Sequence, residues 1–117
     1  MDKDLETGDV RSLCEAIAWL DDPAVVGDFL EDLCSIREIQ DLAQRFSVAK
    51  MLYAGEPYTA ISEKTGASAA TIARVSKCVN YGAGGYRYVL DNMVEVAESA
   101  SGLESGDSGG ETRAETV

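Results

Sequence analysis

The chain contains no histidine. That removes the base of Ser-His and Cys-His nucleophilic chemistry and the commonest metal ligand together. Cysteine is scarce: Cys14, Cys34 and Cys78 are odd in number and none forms a CxxC pair. Neither a disulfide framework nor a zinc site is expected, and a reducing cytosol suits the chain. Carboxylates gather toward the two ends and form no cluster with metal-ligand spacing. No catalytic residue, metal or cofactor is therefore expected, and the chain does not read as an enzyme. No apolar run approaches the length of a membrane span, and the first residues lack the basic-then-apolar shape of a secretion signal. A soluble, cytoplasmic protein with no membrane contact is expected. Strand-like alternation is missing as well. The cluster Gly82-Ala83-Gly84-Gly85 follows no strand and lacks GxGxxG spacing, so it reads as a hinge and not as a dinucleotide loop.

Positive charge is in short supply overall, with 10 Lys and Arg against 21 Asp and Glu, a net charge of −11. The average conceals a segregation. Residues 1–34 carry two basic and ten acidic side chains, residues 35–90 seven against four, and residues 91–117 one against seven. A mildly basic middle between acidic ends suits a DNA-reading centre whose ends face away from phosphate. Acidic ends that merely aid solubility would give the same pattern.

What is present is apolar content of 45% in 117 residues, enough for one globular domain. A lone chain of this size buries only about two-thirds of the surface its unfolded form exposes, so strongly amphipathic helices would be better satisfied by a second subunit. Residues 1–9 are polar and expected to fray. Val10, Leu13, Cys14, Ile17 and Leu20 fall at helical spacing beside Trp19. Asp21-Asp22-Pro23 ends that helix and starts a second, with Val26, Phe29, Leu30 and Leu33 as its apolar stripe. Ser35 and Glu38 form a capping box. From there a long helix with a broad apolar band is expected to about Ala54, with Gly55 as its stop.

Thr59 is placed as the cap of a short helix ending at Gly66, and Ser68 as the cap of another reaching about Tyr81. After the glycine hinge a last helix is expected, with Tyr86, Val89, Leu90, Met93 and Ala97 on one side. The architecture predicted is all-α, about six helices, over residues 1–97. Residues 98–117, rich in Ser, Gly, Glu and Thr, read as a disordered acidic tail.

The segment TAISEKTGASAATIARVSKCV, residues 59–79, carries the functional argument. A short helix, a glycine turn and a second capped helix are the parts of a helix-turn-helix, here at about 59–80. Ile61, Ala67, Ile72, Val75 and Val79 are the expected apolar seam. Ala70, Ala73, Arg74 and Lys77 then share the opposite face at i, i+3, i+4 and i+7. Small side chains at a helix N-terminus let the backbone approach base edges and thymine methyls, and the helix dipole there favours phosphate. Ser68 and Thr71 add hydroxyls at the same end. The same pattern would also fit a helical hairpin whose cations are simply solvated.

From Ser35 to about Val94 the chain resembles the Trp repressor family, and most closely its YerC/YecD-type subgroup. The run SIREIQDLAQRFSVAKMLYAGEPYTAISEKTGASAATIARVSKCV carries the likeness, most sharply at Gly66, Ala67, Thr71, Ile72 and Arg74. The resemblance implies an intertwined homodimer whose N-terminal helices interlock, binding double-stranded DNA at a palindromic operator as a transcriptional regulator of repressor type. It implies a reading head from Tyr58 to Lys77, with Thr59, Ala60, Glu63, Ser68, Ala69, Ala70, Ala73 and Lys77 facing DNA. Ala60 and Glu63 stand where tryptophan-responsive members carry basic side chains. Those members hold the indole between two arginines, whose counterparts are Arg45 and Arg74, and the residue after the second arginine is glycine. Here it is Val75, whose side chain is expected to fill the ring's space. The site is then a vestigial corepressor pocket without tryptophan control, with Arg45 and Arg74 paired to carboxylates or to helix ends. The competing reading, from another functional class, is an acidic helical protein-interaction module that binds no DNA.

Overall fold

The computed structural model describes residues 1–93, and every regular element among them is helical. After a 3-10 turn at Lys3–Leu5, the helices are α1 (Gly8–Trp19), α2 (Pro23–Leu33), α3 (Ile36–Tyr53), α4 (Tyr58–Thr65) and α5 (Ala69–Tyr81). Residues 85–93 form α6 as far as the description extends. Ala97 and the tail expected at 98–117 lie outside the described residues.

Local chemistry sets most of these boundaries. Thr7 Oγ1 accepts from the Val10 amide at 3.2 Å and opens α1. Asp22 caps α2 by accepting from the Ala24 amide at 3.0 Å, with Pro23 in the first turn, where its missing N–H costs nothing. At α3 both halves of the capping box form: Ser35 Oγ accepts from the Glu38 amide at 3.1 Å, and the Ser35 amide donates to Glu38 Oε1 at 2.8 Å. Two expectations are corrected. Residues 1–9 are not simply frayed, because Asp2 caps the 3-10 turn and α1 already starts at Gly8. Thr59 is not a cap either. α4 begins one residue earlier behind Pro57, which makes no side-chain capping bond, and Thr59 sits inside the first turn. The fixed φ of proline, −72° here, already aims the chain into a helix without a capping hydroxyl.

The core is confined to the second half of the chain. Val48 and Ala49 of α3, Ile61 of α4, Ala67 of the turn, Ile72, Val75 and Val79 of α5, and Leu90 of α6 are its buried members. Phe46, Met51, Leu52, Tyr53 and Tyr86 pack around them. Polar contacts fasten α6 to this body. The Tyr53 hydroxyl donates to the Asp91 carboxylate, Arg87 Nη2 donates to Asn80 Oδ1 at 3.2 Å, and the Arg87 guanidinium lies 5.8 Å from the Tyr53 ring centre. Gly82 permits the exit from α5, since a Cβ there would sit 2.4 Å from the Cys78 carbonyl oxygen. By contrast α1 and α2 bury no residue at all, and Trp19 is 83% exposed. No helix among the described residues is long and apolar enough to cross a membrane.

Candidate nucleic-acid interface

The turn between α4 and α5 is held by more bonds than its glycine alone would suggest. Gly66 adopts the left-handed conformation at φ 75°, which side-chain-bearing residues reach only at a cost. Thr65 Oγ1 donates to the Ile61 carbonyl at 2.7 Å and accepts from the Ala67 amide at 3.1 Å. Ser62 Oγ donates to the Ala67 carbonyl at 2.9 Å, and Gln44 Nε2 reaches across from α3 to the Thr65 carbonyl at 3.1 Å. Together these satisfy the polar backbone of a tight, partly buried turn and fix the angle at which α5 leaves it.

The expected seam is realised in full, with Ile61 and Ile72 completely buried and Ala67, Val75 and Val79 almost so. Burying that side of α5 turns Ala69, Ala70, Ala73, Arg74 and Lys77 outward, where all five are exposed. Ser68 is the N-cap, accepting from the Thr71 amide at 3.1 Å, and its hydroxyl also contacts Thr71 Oγ1 at 3.1 Å. The two hydroxyls expected to face DNA are thus bonded to each other, so the exposed alanines and cations dominate the face. Thr71 is half-buried and Thr59 exposed. On α4, Glu63 is exposed, and Lys64 is tied to Glu56 at 3.0 Å.

Beside this face lies a polar cleft of about 430 Å³ between α3 and α5, lined by Arg45, Arg74, Val75, Thr71, Cys78 and Tyr86, with Arg37, Asp41 and Gln44 at its α3 side. The structure therefore brings together Arg45, Arg74 and Val75 on one cleft, as expected, and corrects one further point. Val75 is 3% exposed, packed in the core with its outer edge in the cleft wall. Neither Arg45 nor Arg74 forms the expected ion pair or helix-end bond among the described residues, where the ion pairs are Arg11–Glu15, Arg37–Asp41 and Lys64–Glu56. Arg37 captures Asp41 because the two stand four residues apart on one helix face, which leaves Arg45 without a local carboxylate. Burial pushes the Tyr86 phenol up, charge on Cys78 adds to the shift, and the Arg45 guanidinium opposes it.

Three of the cations with no ion pair among the described residues, Arg45, Arg74 and Lys77, lie at this cleft and on the adjoining face of α5; of the others, Lys50 lies over the Phe46 ring at 5.3 Å, Arg87 is held by Asn80 and Tyr53, and Lys3 lies in the N-terminal 3-10 turn. Gln44, Ser62 and Thr65 are the positioning residues that sequence reasoning missed. The Thr65-Gly66 step carried a local signal, because a hydroxyl next to a helix end commonly bonds backbone, but Gln44 carried none.

A family model described as Trp repressor protein matches residues 8–94. An uncharacterized protein, YerC of Bacillus subtilis (strain 168), is 51% identical over 73 residues, spanning 62% of this chain and 70% of that protein. The crystal structure of a TrpR-like protein from Eubacterium eligens ATCC 27750 superposes with a TM-score of 0.76 at 47% identity, covering 80% of this chain and 96% of the other. A solved Staphylococcus aureus structure gives 0.75 at 38% identity, covering 79% and 92%.

Proposed function

The chain belongs to the Trp repressor family, whose members are DNA-binding regulators and not enzymes, and on that premise we propose that it is a cytoplasmic, homodimeric transcriptional repressor that reads a palindromic operator with α5. The observation that carries the reading is the division of α5 into two faces. Ile72, Val75 and Val79 anchor it to the core, while Ala69, Ala70, Ala73, Arg74 and Lys77 project outward from a Ser68-capped end. That end offers free amides and a positive dipole to phosphate. The alanines allow close approach to base edges, and Lys77 and Arg74 supply phosphate contacts. Thr59 and Thr71 border the same surface as secondary contacts, and Ser68 acts mainly as the cap.

The homodimer is supported by the apolar side chains that α1, α2 and the start of α3 leave uncovered, among them Ile36 at 73% exposure. In an intertwined arrangement these would form the shared core, and twofold symmetry would give the operator two half-sites. Control by tryptophan is not part of the proposal. Val75 stands in the cleft wall next to Arg74, and the added side chain opposes insertion of a flat ring between Arg45 and Arg74.

The test is a gel shift of genomic fragments at low and moderate salt, with the Ala70→Glu variant beside the parent. Ala70 is exposed, so the substitution should keep helicity while setting a carboxylate against the groove and abolishing binding. Equal binding by parent and variant would remove α5 as the reading helix. No binding by the parent would favour the protein-interaction module instead.

A further inference from the structure

Gln44 joins two parts of the molecule that side-chain packing leaves apart. α3 runs from the exposed Ile36 to Val48 and Ala49 in the core, so it is common to the proposed dimer face and to the body that carries α4 and α5. The end of α4 faces α3 across a hollow of about 290 Å³ lined by Gln40, Ala43, Gln44, Ser47 and Thr65. On its other side Gln44 lines the polar cleft with Arg45 and Thr71. The half-buried carboxamide thus bridges a gap between two open spaces, and its Nε2 donates to the Thr65 carbonyl at 3.1 Å, 21 residues further along the chain. The seam of Ile61, Ile72 and Val75 packs α4 and α5 onto α3. Apolar attraction is non-directional and resists rotation about that seam only weakly, whereas a hydrogen bond has a preferred direction. The Lys64–Glu56 pair holds the head only to the loop before α4 and is largely exposed, so it contributes little.

Resting on the proposed reading of a two-half-site operator by α5, we infer that Gln44 is a positioning residue that sets operator half-site spacing from α3, outside the reading face. α5 has 13 residues and is therefore about 20 Å long. A tilt of roughly 10° moves one of its ends by about 3 Å relative to the other, close to the rise of one base pair. Twofold symmetry repeats the displacement in the second half-site. With the Gln44 bond in place the two reading helices stand at one separation, and without it they sample several. Attraction to phosphate carries no sequence information and does not depend on that separation.

The experiment compares the full chain with Gln44→Met, which keeps the side chain's length and removes the donor, and with Gln44→Lys, which keeps a donor of similar reach. Each is measured against the palindrome that the parent selects from a random pool, the same palindrome with one base pair added or removed between half-sites, and a random-sequence duplex. Hydrogen exchange is followed without DNA at the Gly66 and Ala67 amides. Gln44→Met should speed exchange at those amides roughly threefold to tenfold, with Val48 and Ala49 unchanged. It should also cut the parent's preference for the correct spacing by roughly threefold to tenfold, while affinity for the random duplex stays within about twofold. Gln44→Lys should restore the spacing preference. Unchanged exchange, or faster exchange with the spacing preference intact, overturns the inference and leaves DNA binding by α5 standing. A uniform loss of stability and of affinity for all three kinds of duplex also overturns it, since that marks a purely structural role. A parent that binds no duplex, or selects no palindrome, overturns the dimeric DNA-binding reading and the spacing role together.

Discussion

Residues 8–33 and residues 46–90 hold comparable apolar side chains and treat them in opposite ways. In the second region α3, α4, α5 and α6 enclose Val48, Ile61, Ile72 and Leu90 until almost no water reaches them. In the first, α1 and α2 have good caps and clear apolar stripes, yet they bury nothing. Helix formation and burial are separable: caps and spacing suffice to define a helix locally, but its stability in water comes from packing its apolar face. Under the proposed homodimer, the contrast would mean two kinds of stability within one chain, one contained in the protomer and one dependent on a partner.

Substitutions should separate the two. Leu13→Asp with Ile17→Asp should have the largest effect, because four carboxylates would enter the shared core of a homodimer. Dimer dissociation should increase on the order of a hundredfold or more, seen as a halved mass by light scattering at micromolar concentration. If the mass is already monomeric in the parent, the partner-dependent half of the contrast fails. Ile61→Ala comes next. It removes a fully buried side chain and should cost about 2–5 kcal/mol in denaturant unfolding. Within the reading head this loss should be the same at all protein concentrations, whereas the stability of α1 and α2 should rise with concentration.

Sequence and structure agree best where the governing contacts are local. The Ser35–Glu38 box, the Ser68 cap and the left-handed Gly66 each act within a few residues and were legible as such. The seam Ile61, Ala67, Ile72, Val75 and Val79 was legible because a buried helix face must recur at helical spacing. The Gln44–Thr65 and Tyr53–Asp91 bonds were not, since they join residues 21 and 38 positions apart and no periodicity encodes them. The cleft shows the same limit. The resemblance placed Arg45, Arg74 and Val75 on one site, but whether each arginine found a carboxylate depended on Asp41 being taken by Arg37.

Smaller effects sharpen the comparison on the reading head itself. Lys77→Ala should leave thermal stability unchanged, because the side chain is exposed and makes no ion pair among the described residues. It should weaken binding to every DNA sequence and lower the salt slope by roughly one unit per lost phosphate contact. An unchanged slope would place Lys77 off the phosphates. Smallest of all is the effect of L-tryptophan. With Val75 in the cleft wall, calorimetry should detect no binding below millimolar concentration, and DNA affinity should be the same with and without it, since a ligand that binds neither state shifts no equilibrium. Micromolar binding would show that the space beside Val75 admits the ring after all.

Selection of bound DNA from a random pool by the full chain tests the central claim most directly, because one measurement reports both the partner-dependent half and the reading head. The account predicts a palindrome with half-site centres about 10 bp, one helical turn, or a multiple of it apart, and its complete loss with Ala70→Glu. An asymmetric single site, no enrichment, or a palindrome indifferent to Ala70→Glu would contradict it.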